Sequence, residues 1–142
     1  MQVFIVGSPL ETARALDPKR LNRQIQETKV ILAALNGAKA WSNHPCVLQY
    51  RGREEWLRAY KTCLEWYIRG DEGKALWASN LADYWRPMFH TQEYFDNMKA
   101  RLYTKNPQHY AQFEEYGTSE ENWYWSQEQD EWRKYVNGKR IE

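Results

Sequence analysis

Cysteine is scarce in this 142-residue chain, with only Cys46 in a loop-like stretch and Cys63 on an apolar helix face. Two thiols with neither a CxxC spacing nor a dense framework exclude a disulfide scaffold and a thiolate metal centre, and they read as reduced intracellular thiols. The three histidines, His44, His90 and His109, lack the close pairing that zinc sites use, so neither a metal nor a cofactor is expected. There is no Gly-rich phosphate loop, internal repeat, low-complexity tract or flexible linker. The N-terminal apolar run Val3-Phe4-Ile5-Val6 is too short for a signal peptide or a membrane span, and no long apolar segment follows it. A soluble, cytoplasmic protein without membrane contact is the expectation. Charge of one sign is also lacking. Twenty basic residues against 19 acidic ones leave +1, so attraction to nucleic acid can come only from local clustering.

Aromatic rings are abundant: eight Trp, ten Tyr and four Phe, many of them beside Arg or Lys. Between Arg53 and Arg69, Trp56, Tyr60, Cys63, Leu64 and Tyr67 follow the helical period and read as core. Trp123-Tyr124-Trp125 and Trp132-Arg133-Lys134-Tyr135 mix rings with charges and show no clean apolar stripe. Such mixtures can stack on bases and touch phosphates.

Helix signals recur along the chain and strand signals hardly occur. Ser8-Pro9 opens a short helix, Asp17-Pro18 a second that runs to Asn36-Gly37, and Gly70 closes the helix of Arg53 to Arg69. A weaker helical stretch spans Lys74 to Trp85, and Pro87 breaks it. Thr91 caps a helix whose Tyr94, Phe95, Met98 and Leu102 face inward until Asn106-Pro107. Thr118 with Glu121 forms a capping box for a final aromatic and charged helix over about 118–142, ending before Gly138. The expectation is an all-α, compact single domain over residues 1–142.

The most informative helix is the second. Asp17 caps it and Pro18 takes the first position, where its missing N–H is an orphan in any case. Leu21, Ile25, Thr28, Leu32 and Leu35 form the expected core stripe, with Arg20, Gln24, Glu27 and Ile31 in the row beside it. A half-shielded carboxylate at Glu27 suits a general acid or base, while the plainer alternative is an ion pair with Arg23 four residues earlier. His44, in Trp41-Ser42-Asn43-His44-Pro45, reads either as a turn residue bonded to backbone or as part of a site.

Four runs then stand together: Leu16-Asp17-x-Lys19-Arg20-Leu21-x-x-Gln24-x-x-Glu27, Asn43-His44-Pro45, Tyr50-x-Gly52 and Lys105-x-Pro107-x-x-Tyr110. Over about residues 1–110 they resemble the endonuclease V-type pyrimidine-dimer DNA glycosylases of phages and bacteria, as a short and divergent branch. The resemblance implies an all-α glycosylase with AP-lyase activity that flips a nucleotide out of double-stranded DNA and attacks with its N-terminal amine. It also implies a monomer, acting in a bacterial cell or a phage-infected host.

Carried over by position, the resemblance puts the family's catalytic glutamate on Glu27, with Arg20 where the family has a histidine and Gln26 where it has an arginine. It makes Arg101 and Lys105 phosphate ligands and adds Lys19, Arg20, Arg23 and Gln24 to the DNA-binding set. His44, Trp132 and Lys134 become supporting residues, the last two through a likeness to the family's aromatic tail. Because the bulky Gln2 keeps an initiator methionine in place, the implied nucleophile is the Met1 α-amine. An α-amine has a reference pKa of about 7.7–8.0 against about 10.4 for lysine, which suits such amines to attack near neutrality. Two alternatives remain open: a glycosylase of the same fold acting on another damaged or modified base, and a catalytically silent DNA-binding accessory protein.

Overall fold

The computed structural model describes residues 1–141. Six α-helices come first: α1 (Pro9–Ala15), α2 (Pro18–Leu35), α3 (Pro45–Gln49), α4 (Glu54–Ile68), α5 (Glu72–Ala82) and α6 (Gln92–Lys105). Three strands follow, β1 (Asn122–Ser126), β2 (Glu131–Val136) and β3 (Lys139–Ile141). The capping signals act as their chemistry predicts. Ser8 and Glu11 exchange side-chain and backbone bonds at the start of α1, and Asp17, Asp71 and Thr91 each accept a backbone N–H at the start of α2, α5 and α6.

The chain is not all-α. Where a last helix was expected over 118–142, the described residues form an antiparallel sheet in the order β1-β2-β3. Side-chain period explains the difference. In the pairing of β1 with β2, Trp123 and Trp125 share one face with Trp132 and Lys134, while Tyr124 shares the other with Arg133 and Tyr135. A two-residue alternation of large rings resembles, at the level of sequence, a helix with no apolar stripe. Asn137 and Gly138 both take positive φ, 51° and 77°, as the two-residue turn between β2 and β3 requires. At the entry to the sheet it is Ser119, not Thr118, that works locally: its Oγ accepts from the Glu121 N–H at 3.1 Å and donates to Asn97 at 2.7 Å.

The first five residues form neither helix nor strand and run through the core, with Val3 and Ile5 fully buried. They belong to no sheet, so side chains satisfy their backbone. Gln24 accepts from the Phe4 N–H at 3.0 Å and donates to the Gln2 carbonyl at 2.8 Å; Tyr60 donates to the Phe4 carbonyl at 2.6 Å, and Thr12 accepts from the Val6 N–H at 3.0 Å. Buried backbone groups must be paired somewhere, and here an irregular segment is held by side chains alone. This also resets the register of α2. Its buried face contains Gln24 and Ile31, whereas Leu32 and Leu35, expected in the core, are only half-buried. Gln24→Leu removes both clamps and leaves one donor and one acceptor in the core, at roughly 1–3 kcal/mol each. A lower melting temperature with retained helix content is the expected result.

A cluster of stacked rings fills the space beneath the sheet. Trp56 lies between Tyr50 and Tyr60 at 5.6 and 4.9 Å, and Tyr94 stacks on Trp132 at 4.9 Å. His90 sits among them, 2.9 Å from the Tyr50 hydroxyl, and burial followed by the nearby Arg86 cation pulls its pKa down to about 3. The unfolded chain therefore binds a proton below pH 6.5 that the folded chain refuses. Stability is intact above 6.5 and falls with pH by up to about 1.4 kcal/mol per unit between 6.5 and 3. Thermal melting at pH 7 and pH 5 checks this, with a clear drop in melting temperature expected before most carboxylates titrate.

Candidate active site

The chain's first residue ends at a surface cleft. The carbonyl of Met1 accepts from the Tyr124 hydroxyl at 3.0 Å, and the next carbonyl is held by Gln24. Gln2 is itself buried at 7% exposure, with its side-chain amide against Met98. Met1 is half-buried, so its amine sits at the end of a fixed segment where the core opens to solvent. The cleft there, about 420 Å³, is lined by Met1, Asn22, Arg23, Gln26, Glu27, Val30 and Trp41.

Met1 and Glu27 are thus brought to one cleft by residues far apart in role: Gln24 anchors the N-terminal segment, and Glu27 follows it by three positions on the same helix. Glu27 is half-buried, and its Oε2 is buried without a hydrogen-bond partner. The alternative pairing with Arg23 is not made: among the described residues no salt bridge joins them. Arg23 is exposed along the cleft.

His44 lies within electrostatic reach of the N-terminus. It caps α3, its Nδ1 accepting from the Cys46 N–H at 3.1 Å, and its ring meets Tyr124 and Trp41 edge-on at 5.6 and 5.8 Å. Burial and then the N-terminal ammonium both lower its pKa, which favours the neutral ring, and in that ring the capping bond leaves the hydrogen on Nε2. Cys46 is fully buried beside the same ammonium, and burial pushes its thiol up to about 12, which removes it as a nucleophile.

The cations expected at DNA fall into different environments. Lys19 and Lys105 are exposed. Lys105 has its pKa lowered by burial first and then by Arg101, Arg20 and Arg23, which places four of the expected cations within electrostatic reach of one another. Arg20 already pairs with Asp17 at 3.1 Å, and Asp17 in turn accepts from the Tyr110 hydroxyl. Arg101 is 8% exposed, lies 5.6 Å over the Phe4 ring, and has Nε and Nη1 buried without partners. Gln24, at 2% exposure, is a clamp for the N-terminal segment and not a DNA-facing residue. Trp132 is packed on Tyr94 and Trp125, and Lys134 lies 4.1 Å over Trp123, so both sit on the sheet face opposite Tyr124.

Two residues of the site were not singled out from sequence. Tyr124 fixes Met1, and only a period-two reading of Trp123-Tyr124-Trp125 could have separated it from its neighbours. Trp41 is 55% exposed at the cleft with φ of 65°, a left-handed conformation that a bulky residue adopts only under constraint. No local sequence signal announces that backbone.

A model of the pyrimidine dimer DNA glycosylase family matches residues 1–79. The chain belongs to this family. No curated protein and no solved structure matches it. Membership supports a DNA glycosylase and implies DNA binding. The glycosylase segment so matched holds Met1, Arg23, Glu27, Trp41 and His44, while Arg101, Lys105 and the whole sheet lie outside it.

Proposed function

We propose that this glycosylase excises pyrimidine dimers from double-stranded DNA through attack of the Met1 α-amine on the sugar C1′ of a flipped nucleotide. The observation that carries the reading is the meeting, in one cleft, of the chain's first residue with a carboxylate whose Oε2 is buried without a hydrogen-bond partner. The amine lone pair forms the bond to C1′, and the damaged base leaves with the glycosidic electron pair and takes up a proton. The C1′–O4′ bond then breaks as the amine nitrogen loses a proton and O4′ gains one, giving an open-chain Schiff base; this acidifies C2′, and loss of a proton there breaks the C3′–O bond and expels the 3′ phosphate, which is the AP-lyase step. Glu27 stabilises the developing sugar cation and then moves protons. His44, its ring held by the bond from the Cys46 N–H and close enough to the N-terminus to feel its charge, helps to fix the position of the amine. Protein acting as a monomer in the cytoplasm is part of the same proposal.

Phosphates are met by the exposed cations Lys19, Arg23 and Lys105, with Arg20 and Arg101 adding positive potential behind them. Each true phosphate contact adds about 0.9 to the slope of log affinity against log salt. Arg23→Ala and Lys105→Ala are each expected to weaken binding and flatten that slope by about one such step; an unchanged slope in both removes the phosphate assignment. Trp41, exposed on the cleft that Met1 also lines, is the ring expected to stack in the gap left by the flipped nucleotide. Trp41→Ala should cost about 1–3 kcal/mol of affinity for lesion-containing duplex and little for undamaged duplex.

The deciding experiment incubates the protein with duplex carrying a thymine dimer, or an abasic site, in borohydride and maps the adduct by mass. A reduced adduct on Met1 is expected. No adduct together with no base release overturns the proposal.

A further inference from the structure

On α5 the small residues face inward and the large ones outward. Ala75, Ala78, Ser79 and Ala82 form its buried side, Leu76 and Trp77 are exposed, and no charged residue occurs from Ala75 to Ala82. A surface helix ordinarily shows the reverse, with large apolar residues inward and charges outward. The exposed side continues into the 3₁₀ turn Asp83–Trp85: Trp77, Leu81 and Tyr84 recur at spacings of four and three, and Trp85 lies beside them. Met88 extends the patch, 92% exposed between the buried Pro87 and Phe89. We propose that this face docks an acidic protein segment carrying an apolar anchor residue. The inference does not rest on the chemistry at Met1.

The face is set before any partner arrives. The His90 N–H donates to the Pro87 carbonyl at 3.0 Å and Arg86 donates to the His90 carbonyl at 2.8 Å, which closes the loop that carries Met88. Phe89 and His90 hold that loop in the ring cluster, packing on each other and on Tyr50, so the outward position of Met88 is built in. A surface already ordered loses less freedom on binding. Single exposed apolar residues are ordinary, but a contiguous group of rings and a thioether marks an interaction surface.

Charge selects the occupant. Tyr84, Trp85 and Met88 line a concavity of about 260 Å³ together with Arg53, Glu55 and Arg86. Glu55 pairs with Arg58 at 3.5 Å, whereas among the described residues neither Arg53 nor Arg86 joins a salt bridge. Arg53 donates to the Gly52 carbonyl at 3.2 Å and Arg86 to that of His90; a guanidinium has further N–H donors, so each keeps capacity for a carboxylate. A nucleic acid suits this surface less well. Glu55 repels phosphate, and the Leu76 side chain and the Met88 thioether meet nothing apolar on a sugar–phosphate backbone. In addition, α4 stands between this face and α2, its Tyr60 bonded to Gln24 at 3.0 Å while its Cys63 packs with Ala75 and Ala78 of α5.

The test pans the full chain against a displayed library of random peptides. Enrichment of peptides that set Asp or Glu beside Leu, Phe or Trp is expected; enrichment of basic or uncharged peptides, or of none, overturns the proposal. Tyr84→Ser combined with Met88→Ser, at two positions that are 84% and 92% exposed and so of little consequence for folding, should weaken binding of the best enriched peptide roughly tenfold. Arg53→Glu should weaken it by a similar factor and flatten its dependence on salt. Unchanged peptide affinity in both variants overturns the site. Base release from lesion-containing duplex should be the same in the Tyr84 and Met88 variant as in the wild type. A fall there, or in affinity for duplex or single-stranded DNA, makes the face part of the DNA surface and overturns the proposal as well. Because peptide binding is read without DNA, failure of the amine mechanism at Met1 leaves this result unaffected.

Discussion

Glu27→Gln abolishes base release and strand cleavage while leaving DNA binding intact: that is the expected result with the largest effect at the fewest atoms. The substitution keeps the shape of a half-buried side chain and removes its charge and its capacity to carry a proton. Proton transfer by a positioned group contributes about 10²–10⁴ in rate, and stabilisation of a developing sugar cation adds to it, so turnover should fall at least that far. Binding should hold or tighten slightly. A carboxylate whose Oε2 has no partner, in a cleft where Arg23 is the cation, repels phosphate in the ground state. Single-turnover cleavage and equilibrium binding on the same duplex separate the two effects. Wild-type cleavage by the variant removes Glu27 from the mechanism, and a parallel loss of affinity makes it a structural residue.

The helical part of the molecule was written in its local chemistry. Asp17-Pro18, Ser8 with Glu11 and Thr91 fix helix starts because the first-turn N–H groups need acceptors, a requirement that does not depend on the rest of the fold. Where tertiary partners decided, local reading failed. Gln24 looks like a polar flank of α2 until the N-terminal segment arrives and demands a donor and an acceptor in the core. The C-terminal sheet was hidden for a related reason: its rings serve two different surfaces, Trp132 the core and Tyr124 the Met1 site, and that division shows only once the strands are paired. At the site, Glu27 came from its place beside the core stripe of α2 and from resemblance, and Met1 from resemblance and the chemistry of an α-amine. Their shared cleft follows from Gln24, and the left-handed Trp41 follows from nothing local.

Displacing the amine by one residue is the sharper test of the proposed nucleophile, because it changes position without removing chemistry. A chain carrying a single glycine before Met1 still has a free α-amine, now up to about 3.8 Å further along the backbone. The Met1 carbonyl remains bonded to Tyr124 and the Gln2 carbonyl to Gln24, so the added residue cannot be drawn inward and must project past Glu27. A reacting group misplaced by about 1 Å can lose 10²-fold, so borohydride trapping should fall by at least that factor while the melting temperature and affinity for undamaged duplex stay unchanged. Tyr124→Phe probes the same dependence more gently. Losing one hydrogen bond worth about 1 kcal/mol loosens the end of the segment and should lower trapping by roughly fivefold. An extended chain that traps as well as the wild type would show that the amine need not stand at the position Gln24 and Tyr124 define, and with that the proposed nucleophile would fall.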